Sequence, residues 1–180
     1  MMSWKSRGVR GSALEDLIVF TNDYYLKRNL ARIDKVPIPI KIIEQGKDGM
    51  INKAFYEKKS TVDFIGFVQG STVVFDAKET NLPSLPFKNI HAHQIEYMKD
   101  VTFHGGIAFI IAHFKINDSY HVIPYEVLKK YYDEADKGGR KSIPLSELNP
   151  DFEIKYNYNG ILNYLKVLNT YVKYKEEDKL

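Results

Sequence analysis

Residues Ile107 to Ala112 form an unbroken apolar run that follows the pair Gly105-Gly106. A strand with one wet face alternates apolar and polar residues, whereas an unbroken run is typical of a strand buried on both faces. Such a strand needs other elements packed on both sides of its sheet. Helical and strand-like segments surround it within 180 residues, a length suited to one domain. The sequence therefore predicts an α/β fold with a mixed sheet flanked by helices.

The other elements follow from periodicity and turn residues. Ser12 and Glu15 match a capping box, after which apolar residues recur at helical spacing. Gln69-Gly70-Ser71 separates two runs rich in β-branched and aromatic residues, which predicts a hairpin. Residues 81–87, with two prolines, are predicted to be a loop. The predicted helices span about 12–28, 89–101, 125–136 and 161–173, and the predicted strands about 38–43, 61–68, 72–78, 107–112, 120–123 and 152–156.

Basic residues are concentrated in two segments, although the net charge is only +3. The first is a flexible arm over residues 1–11, which precedes every acidic residue. The second is the polar segment from Gln45 to Ser60, predicted to be a long hairpin or a protruding loop. Lysines and arginines in such segments commonly neutralise nucleic-acid phosphates, and a solvated surface is the alternative. The candidate DNA contacts are Lys5, Arg7, Arg10, Lys47, Lys53, Lys58 and Lys59.

The composition excludes several classes of protein. There is no cysteine, which leaves no disulfide framework and no thiolate metal site. The basic N-terminus has no apolar stretch behind it, and no apolar run is long enough to span a bilayer. No glycine pattern matches a phosphate-binding loop, and no serine lies in a nucleophile elbow. We expect a cytoplasmic protein without membrane contact.

Three charged residues on the predicted hairpin are the candidate catalytic group. Period-two alternation places Asp76 and Lys78 on one face of the second strand, with Asp63 of the first strand opposite Asp76 or within one rung of it. Two neighbouring carboxylates repel each other unless a hard cation such as Mg²⁺ binds their oxygens. Such an ion activates a water and stabilises charge on a phosphate, and Lys78 would hydrogen-bond the water or the developing oxyanion. The group predicts metal-dependent phosphodiester hydrolysis.

An acid-x-lysine pair alone is weak evidence, because it recurs at Glu57-Lys59, Glu153-Lys155 and Glu177-Lys179. The pair at Glu153 also lies in a predicted strand, but no preceding paired strand carries a second acid. Only Asp76-Lys78 has a hairpin that brings another carboxylate close. A surface salt bridge on the sheet is the alternative interpretation.

Other polar side chains near this group have two interpretations each. Glu15 is a possible third catalytic acid, or only the capping-box partner of its helix. Gln94 is a possible neutral oxygen ligand or a helix cap, and Thr61 is a possible ligand on the face of Asp63. The pair His91 and His93 lies at a helix start without a clear third ligand, which favours nucleic-acid contact or helix-end hydrogen bonding over zinc.

A wider set of residues resembles a known family. Asp63 with Asp76-Ala77-Lys78 resembles the PD-(D/E)xK nuclease pattern. The longer strings together resemble the RecU family of Holliday junction resolvases over nearly the whole chain. These strings are Leu14-Glu15, Thr21 to Tyr25, Pro37 to Pro39, Ser60 to Asp63, Phe75 to Thr80 and Asn89 to Gln94.

This resemblance implies a restriction-endonuclease-like mixed sheet in a single nuclease domain over residues 12–180, with a protruding stalk at about 45–60 that enters the junction centre. It implies a homodimer that cuts two strands of four-way junction DNA symmetrically, with Mg²⁺ that Mn²⁺ can replace, and an interaction with the recombinase RecA. Lys78 would stabilise the transition state. The implied metal ligands are Thr61, Asp63, Asp76 and Gln94.

The chain departs from the family pattern at two positions near the site. Asp76 stands where the family usually has glutamate, and Val62 stands where the motif name has proline. Neither departure removes a catalytic group. Two other functions fit the same residues: a restriction or repair endonuclease acting on linear duplex DNA, and a DNA-binding regulator of recombination whose carboxylates only hold the fold.

Overall fold

The computed structural model describes residues 13–56, 61–156 and 160–180, and these contain four α-helices and ten β-strands. The helices are α1 (Ala13–Lys27), α2 (Ala92–Phe103), α3 (Tyr125–Asp136) and α4 (Tyr164–Glu176). The strands are β1 (Arg32–Lys35), β2 (Ile40–Gln45), β3 (Ile51–Tyr56), β4 (Phe64–Val68), β5 (Ser71–Thr80), β6 (Ser84–Pro86), β7 (Ile107–Phe114), β8 (Ser119–Pro124), β9 (Ser142–Pro144) and β10 (Glu153–Ile154).

A mixed sheet of six strands, in the order β1-β4-β5-β7-β8-β10, lies between two helical layers. Strands β5 and β7 at its centre are parallel and are joined through α2, and the other neighbours are antiparallel. Helices α1 and α4 pack on one face, and α2 and α3 pack on the other. The predicted mixed sheet flanked by helices is confirmed. None of the described helices combines the length and apolar character that crossing a bilayer requires.

Strand β7 is covered on both faces, as its unbroken apolar sequence requires. Phe109 belongs to the core beneath α1 and α4, and the adjacent Ala108 belongs to the core beneath α2 and α3. Across the sheet, Phe75 of β5 stacks between Phe109 and Phe64, with ring centroids 4.7 and 4.9 Å apart. Burying one such side chain stabilises the fold by about 1.5–3 kcal/mol, so this aromatic row fixes β4, β5 and β7 against one another.

The hairpin between β4 and β5 has a two-residue turn, Gln69-Gly70, rather than the predicted three-residue turn. Val68 pairs directly with Ser71. Both turn residues have positive φ, 49° and 86°, and this turn geometry matches the right-handed twist of paired strands. The turn therefore fixes the register of the two strands that carry the candidate catalytic group.

Strand β1 lies at the edge of the sheet and was not expected from the sequence. It contains only four residues, of which Ile33 alone is buried, so it has little apolar periodicity to reveal it. It lies close to β4, because a Cβ at Gly66 would be only 2.1 Å from the carbonyl oxygen of Arg32. Only glycine allows that approach, which brings the end of β1 beside the start of β4.

Strands β2 and β3 form a separate two-stranded sheet whose residues are all exposed. This hairpin occupies the place of the expected stalk but begins earlier, since Ile40 pairs with Tyr56. The segment expected as an independent strand is therefore the first strand of the hairpin. Lys47 lies in the turn region and Lys53 on β3, and both are exposed. The predicted arm over residues 1–11 and five basic residues lie outside the described ranges: Lys5, Arg7, Arg10, Lys58 and Lys59.

Two further segments differ from the sequence-based expectation. Part of the expected loop forms β6, which pairs with β9 in a third small sheet. A 3₁₀ turn over Phe87–Asn89 follows it, so α2 begins at Ala92, three residues later than expected. Both differences arise from long-range pairing, which local periodicity does not report.

Candidate active site

Asp63 and Asp76 face each other where the β4–β5 pairing ends. Phe64 pairs with Phe75, so the next position in the same register sets the two aspartates opposite each other. The Asp63 backbone N–H donates to Asp76 Oδ1 at 2.8 Å, and the Ala77 N–H donates to Asp63 Oδ2 at 2.9 Å. Each carboxylate is thus held by a backbone group of the other strand. The structure brings together the two acids that the alternation pattern selected.

The segment leading to Asp63 does not continue the strand, contrary to the expected strand from residue 61. The pairing of β4 begins at Phe64, because the N–H of Asp63 donates to a side chain instead of a carbonyl of the neighbouring strand. Thr61 lies two residues earlier, in a bend, and is half-buried. Strand alternation therefore does not determine the direction of the Thr61 side chain.

Asp76 is completely buried, and its Oδ2 has no hydrogen-bond partner among the described residues. Lys78 Nζ is 3.4 Å from this oxygen, within ion-pair distance but without hydrogen-bond alignment, and the lysine side chain is only 13% exposed. Burial raises the pKa of Asp76 to about 7, with Lys78 opposing this rise and the charge of Asp63 adding to it. An unsatisfied buried carboxylate oxygen is costly. Groups with such costs are concentrated at functional sites.

The donor atoms at this position suit a hard divalent cation. The two carboxylates offer oxygens only, the ligand type that Mg²⁺ prefers, and Asp76 Oδ2 has a free lone pair. Within residues 13–56, 61–156 and 160–180, no cluster of three or more acidic, histidine or cysteine side chains could hold a metal. The further ligands expected from the sequence, Thr61 and Gln94, would offer neutral oxygens.

Gln94 is buried in the first turn of α2, and its Oε1 accepts a hydrogen bond of 3.0 Å from the His91 backbone N–H. The structure thus contains the hydrogen bond that the helix-cap interpretation of Gln94 predicts. An amide oxygen has two lone pairs, so this bond leaves one for another partner. His91 and His93 stack on each other with centroids 5.4 Å apart, beside the same helix end.

Glu15 forms an ion pair with Lys35 at the end of β1, with Oε2 and Nζ 2.7 Å apart. The next residue, Val36, donates its N–H to the carbonyl oxygen of Asp63 at 2.8 Å. Glu15 is therefore connected to Asp63 through β1: it forms the ion pair with Lys35, and the next residue, Val36, forms the hydrogen bond to Asp63. The sequence does not identify Lys35 as part of the site, because its pattern does not predict β1. The only signal for this strand is the alternation of Ala31 and Ile33 with polar residues just before Lys35.

The competing acid-x-lysine pairs lie elsewhere. Lys155 Nζ is 2.5 Å from Glu153, and the lysine, which directly follows the edge strand β10, has a side chain that is 76% exposed. Lys179 pairs with Glu177 near the end of the chain. The third pair includes residues outside the described ranges. The Glu153 pair is a solvated surface contact, unlike the buried group at Asp76.

Comparison with known proteins identifies a matching family and several similar proteins. The family model for RecU, recombination protein U, matches residues 9–170 of this chain. A protein of Staphylococcus epidermidis described as Holliday junction resolvase RecU is 36% identical over 179 residues, which cover 96% of this chain and 86% of that protein. A protein of the same description from Lactococcus lactis subsp. lactis is 40% identical over 169 residues, covering 90% and 78%. A solved structure of Archaeoglobus fulgidus Hjc, a Holliday junction resolvase, matches at a TM-score of 0.37 and 11% identity, covering 61% of this chain and 77% of that one.

Proposed function

Because this chain belongs to the RecU family, we propose that it is an endonuclease that resolves four-way DNA junctions by metal-dependent phosphodiester hydrolysis. The observation that carries the chemistry is the fully buried Asp76, whose unsatisfied Oδ2 adjoins Lys78 at 3.4 Å. Asp63 faces it from the next strand. This group has the charges and the donors that cleavage of a phosphodiester requires.

Mg²⁺, with Mn²⁺ as a substitute, fits the oxygen donors of this site. Asp63 and Asp76 would hold the ion through their carboxylates, with the Thr61 hydroxyl and the Gln94 Oε1 as neutral ligands. A bound ion of this kind supplies a water of lowered pKa and stabilises charge on the attacked phosphate. The backbone bonds to Asp63 and Asp76 hold both carboxylates in place before substrate arrives, which limits the reorganisation needed for catalysis.

Lys78 supplies a fixed positive donor. Its side chain is largely removed from solvent beside Asp76, and charge interactions are stronger there than in water. From that position it would hydrogen-bond the attacking water or the oxyanion that develops on the phosphate. Glu15 is a candidate third catalytic acid, which would act on the site through its ion pair with Lys35.

A cleavage assay tests the proposed function directly. A synthetic four-way junction and a linear duplex of the same sequence are incubated with the protein, with and without Mg²⁺, and the strands are separated on a denaturing gel. We expect cleavage of the junction that needs the metal and a clear preference over the duplex. Equal cleavage of both substrates would favour a duplex endonuclease, and binding without any cleavage would favour a DNA-binding regulator of recombination.

A homodimer with two equivalent sites suits a substrate with approximate two-fold symmetry, and the exposed hairpin supports it. By strand alternation Ile40 and Ile42 share one face with Tyr56 of the opposite strand, and these side chains are 47%, 47% and 74% exposed. An isolated two-stranded hairpin is marginally stable in water, so this apolar face needs a partner. The same hairpin of a second copy would cover it. The contact with RecA stays a prediction from the family resemblance.

The substitution Ile42→Lys tests the dimer. It places a charge in the apolar face, and we expect sedimentation velocity to report the 20.9 kDa monomer instead of twice that mass. The matched control is Lys41→Gln on the opposite face of the same strand, which should leave the mass unchanged. A dimer that persists in Ile42→Lys, or a wild-type monomer, would contradict the role given to this face.

A further inference from the structure

Four basic residues lie in the segments that flank the small β6–β9 sheet, and we refer to them as the basic rim. Lys88 lies in the 3₁₀ turn after β6, and the other three lie in the segment between α3 and β9. All four residues are exposed. The members of the basic rim are Lys88, Lys137, Arg140 and Lys141.

Buried Phe87 holds the two parts of the rim together. Its N–H donates to the carbonyl oxygen of Lys141 at 3.0 Å, and its ring packs against Tyr132 of α3 with centroids 5.5 Å apart. Lys88 is the next residue along the chain. Lys88 and Lys141 are thus fixed on neighbouring backbone positions, although 52 residues separate them in sequence.

The rim lies at the same edge of the molecule as the candidate active site. Strand β6 follows the C-terminal end of β5, where the Thr80 hydroxyl donates to the carbonyl oxygen of Ser84 at 3.1 Å. The 3₁₀ turn that carries Lys88 leads directly to His91, whose N–H binds Gln94. One short turn therefore connects the rim to the end of α2 at which the Gln94 ligand lies.

The rim also lies on the same face of the sheet as the catalytic aspartates. Leu85 of β6 and Ile143 of β9 belong to the core beneath α2 and α3. Val74 of β5 belongs to that core as well, and by strand alternation Asp76 and Lys78 are on the face of Val74. A DNA duplex bound at Lys78 would therefore extend over the side of the sheet that carries α2 and α3.

The charges of the rim are available for a ligand. Among the described residues, no acidic side chain lies within ion-pair distance of Lys88, Lys137 or Lys141, whereas Arg140 pairs with Glu147 at 2.7 Å. Glu134 and Asp136 lie on the preceding helix and reduce the net charge of that segment. The connection of Lys88 and Lys141 to the end of α2 that carries Gln94, rather than total charge, distinguishes the rim from other surface lysines.

We propose that the basic rim binds the phosphate backbone of the duplex arm that leads to the scissile bond, with Lys88 and Lys141 as its principal contacts. This inference rests on the proposed function, because it assumes DNA at Lys78. Contacts to backbone phosphates position a duplex without reading its sequence. The rim would thus set where along an arm the junction is cut, and it would act on any duplex, not only on a junction.

The test is the salt dependence of DNA binding without divalent cations, which prevents cleavage. Each phosphate contact contributes about 0.9 to the slope of log affinity against log salt concentration. We expect the double variant Lys88→Gln/Lys141→Gln to lower this slope by about 2 and to weaken binding at least about tenfold at ~0.1 M salt, on a junction and on a linear duplex alike. The matched control is Lys166→Gln/Lys173→Gln, two exposed lysines of α4 in the opposite helical layer, which should leave the slope unchanged.

The possible results distinguish failure of this inference from failure of the proposed function on which it rests. If the wild-type protein cleaves junctions but the rim variant keeps the wild-type slope, the rim does not bind DNA and the inference fails alone. A slope lowered on the junction but not on linear duplex would also overturn it, since the contact would then be with the junction centre. If the wild-type protein neither cleaves nor binds junctions, the proposed function fails as well.

Discussion

The substitution Lys78→Ala is expected to slow the cleavage of a four-way junction by about 10²–10³-fold, the loss that follows removal of one preorganised donor to a developing oxyanion. The lysine side chain is 13% exposed and its Nζ is 3.4 Å from Asp76 Oδ2, so water cannot readily take the place of the ammonium group. Junction binding should be nearly unchanged, because a single phosphate contact is lost among many. Single-turnover cleavage and equilibrium binding on the same labelled junction measure the two effects.

One side effect of this substitution has to be separated from the catalytic one. Lys78 holds the pKa of Asp76 down, so its removal raises that pKa further and favours a protonated, metal-free Asp76 near neutral pH. If protonation were the whole cause, raising the pH from 7 to 9 would restore cleavage. We expect no such recovery. The matched control is Lys155→Ala, which removes the lysine of the exposed Glu153 pair at the same spacing and should retain full activity.

The meeting of Asp63 and Asp76 could be predicted because two local rules agree there. Period-two alternation selects the face of Asp76, and the turn residues around Gly70 limit Asp63 to a position opposite Asp76 or within one rung of it. The two-residue turn of the structure then sets the exact register. The unbroken apolar run of β7 likewise reports its burial on both faces, because each side chain from Ile107 to Ala112 meets a core. Strong local patterns of this kind predict the structure well, because long-range contacts do not override them.

The environment of the site could not be predicted in the same way. The full burial of Asp76 depends on helices and strands distant in sequence, and alternation reports only its face. The ion pair between Glu15 and Lys35 requires β1, whose four residues carry almost no apolar signal. The basic rim requires the pairing of β6 with β9, which joins segments that look like loops. Each of these features arises from long-range contacts.

The substitution Asp76→Asn is expected to have two opposite effects. Cleavage should fall by at least about 10²-fold, because the proposed metal ligand loses its charge. The metal-free protein should nevertheless become more stable at pH 8. The wild-type side chain is completely buried with one oxygen unsatisfied, and its pKa is raised from 3.8 to about 7 by burial, so holding it ionised destabilises the folded state. That shift corresponds to about 4 kcal/mol as an upper figure, and a gain of even half of it would raise Tm by about 4–8 °C.

The size of this stability effect depends on pH, and this dependence provides a second test. Between the ordinary pKa and the raised one, the folded protein holds a proton that the unfolded chain releases, so wild-type stability falls as pH rises from about 4 through 7. The advantage of Asp76→Asn should therefore be full at pH 8 and absent below pH 4, where both side chains are neutral.

Mg²⁺ should raise the Tm of the wild-type protein at pH 8 by mass action and leave that of Asp76→Asn unchanged. Asp63→Asn is the matched control: Asp63 is only half-buried, so this variant should lose the response to Mg²⁺ with little gain in metal-free stability. An Asp76→Asn protein that melts below the wild type at pH 8, or that responds equally to Mg²⁺, would falsify the assignment of Asp76 as a strained ligand held ready for the cation.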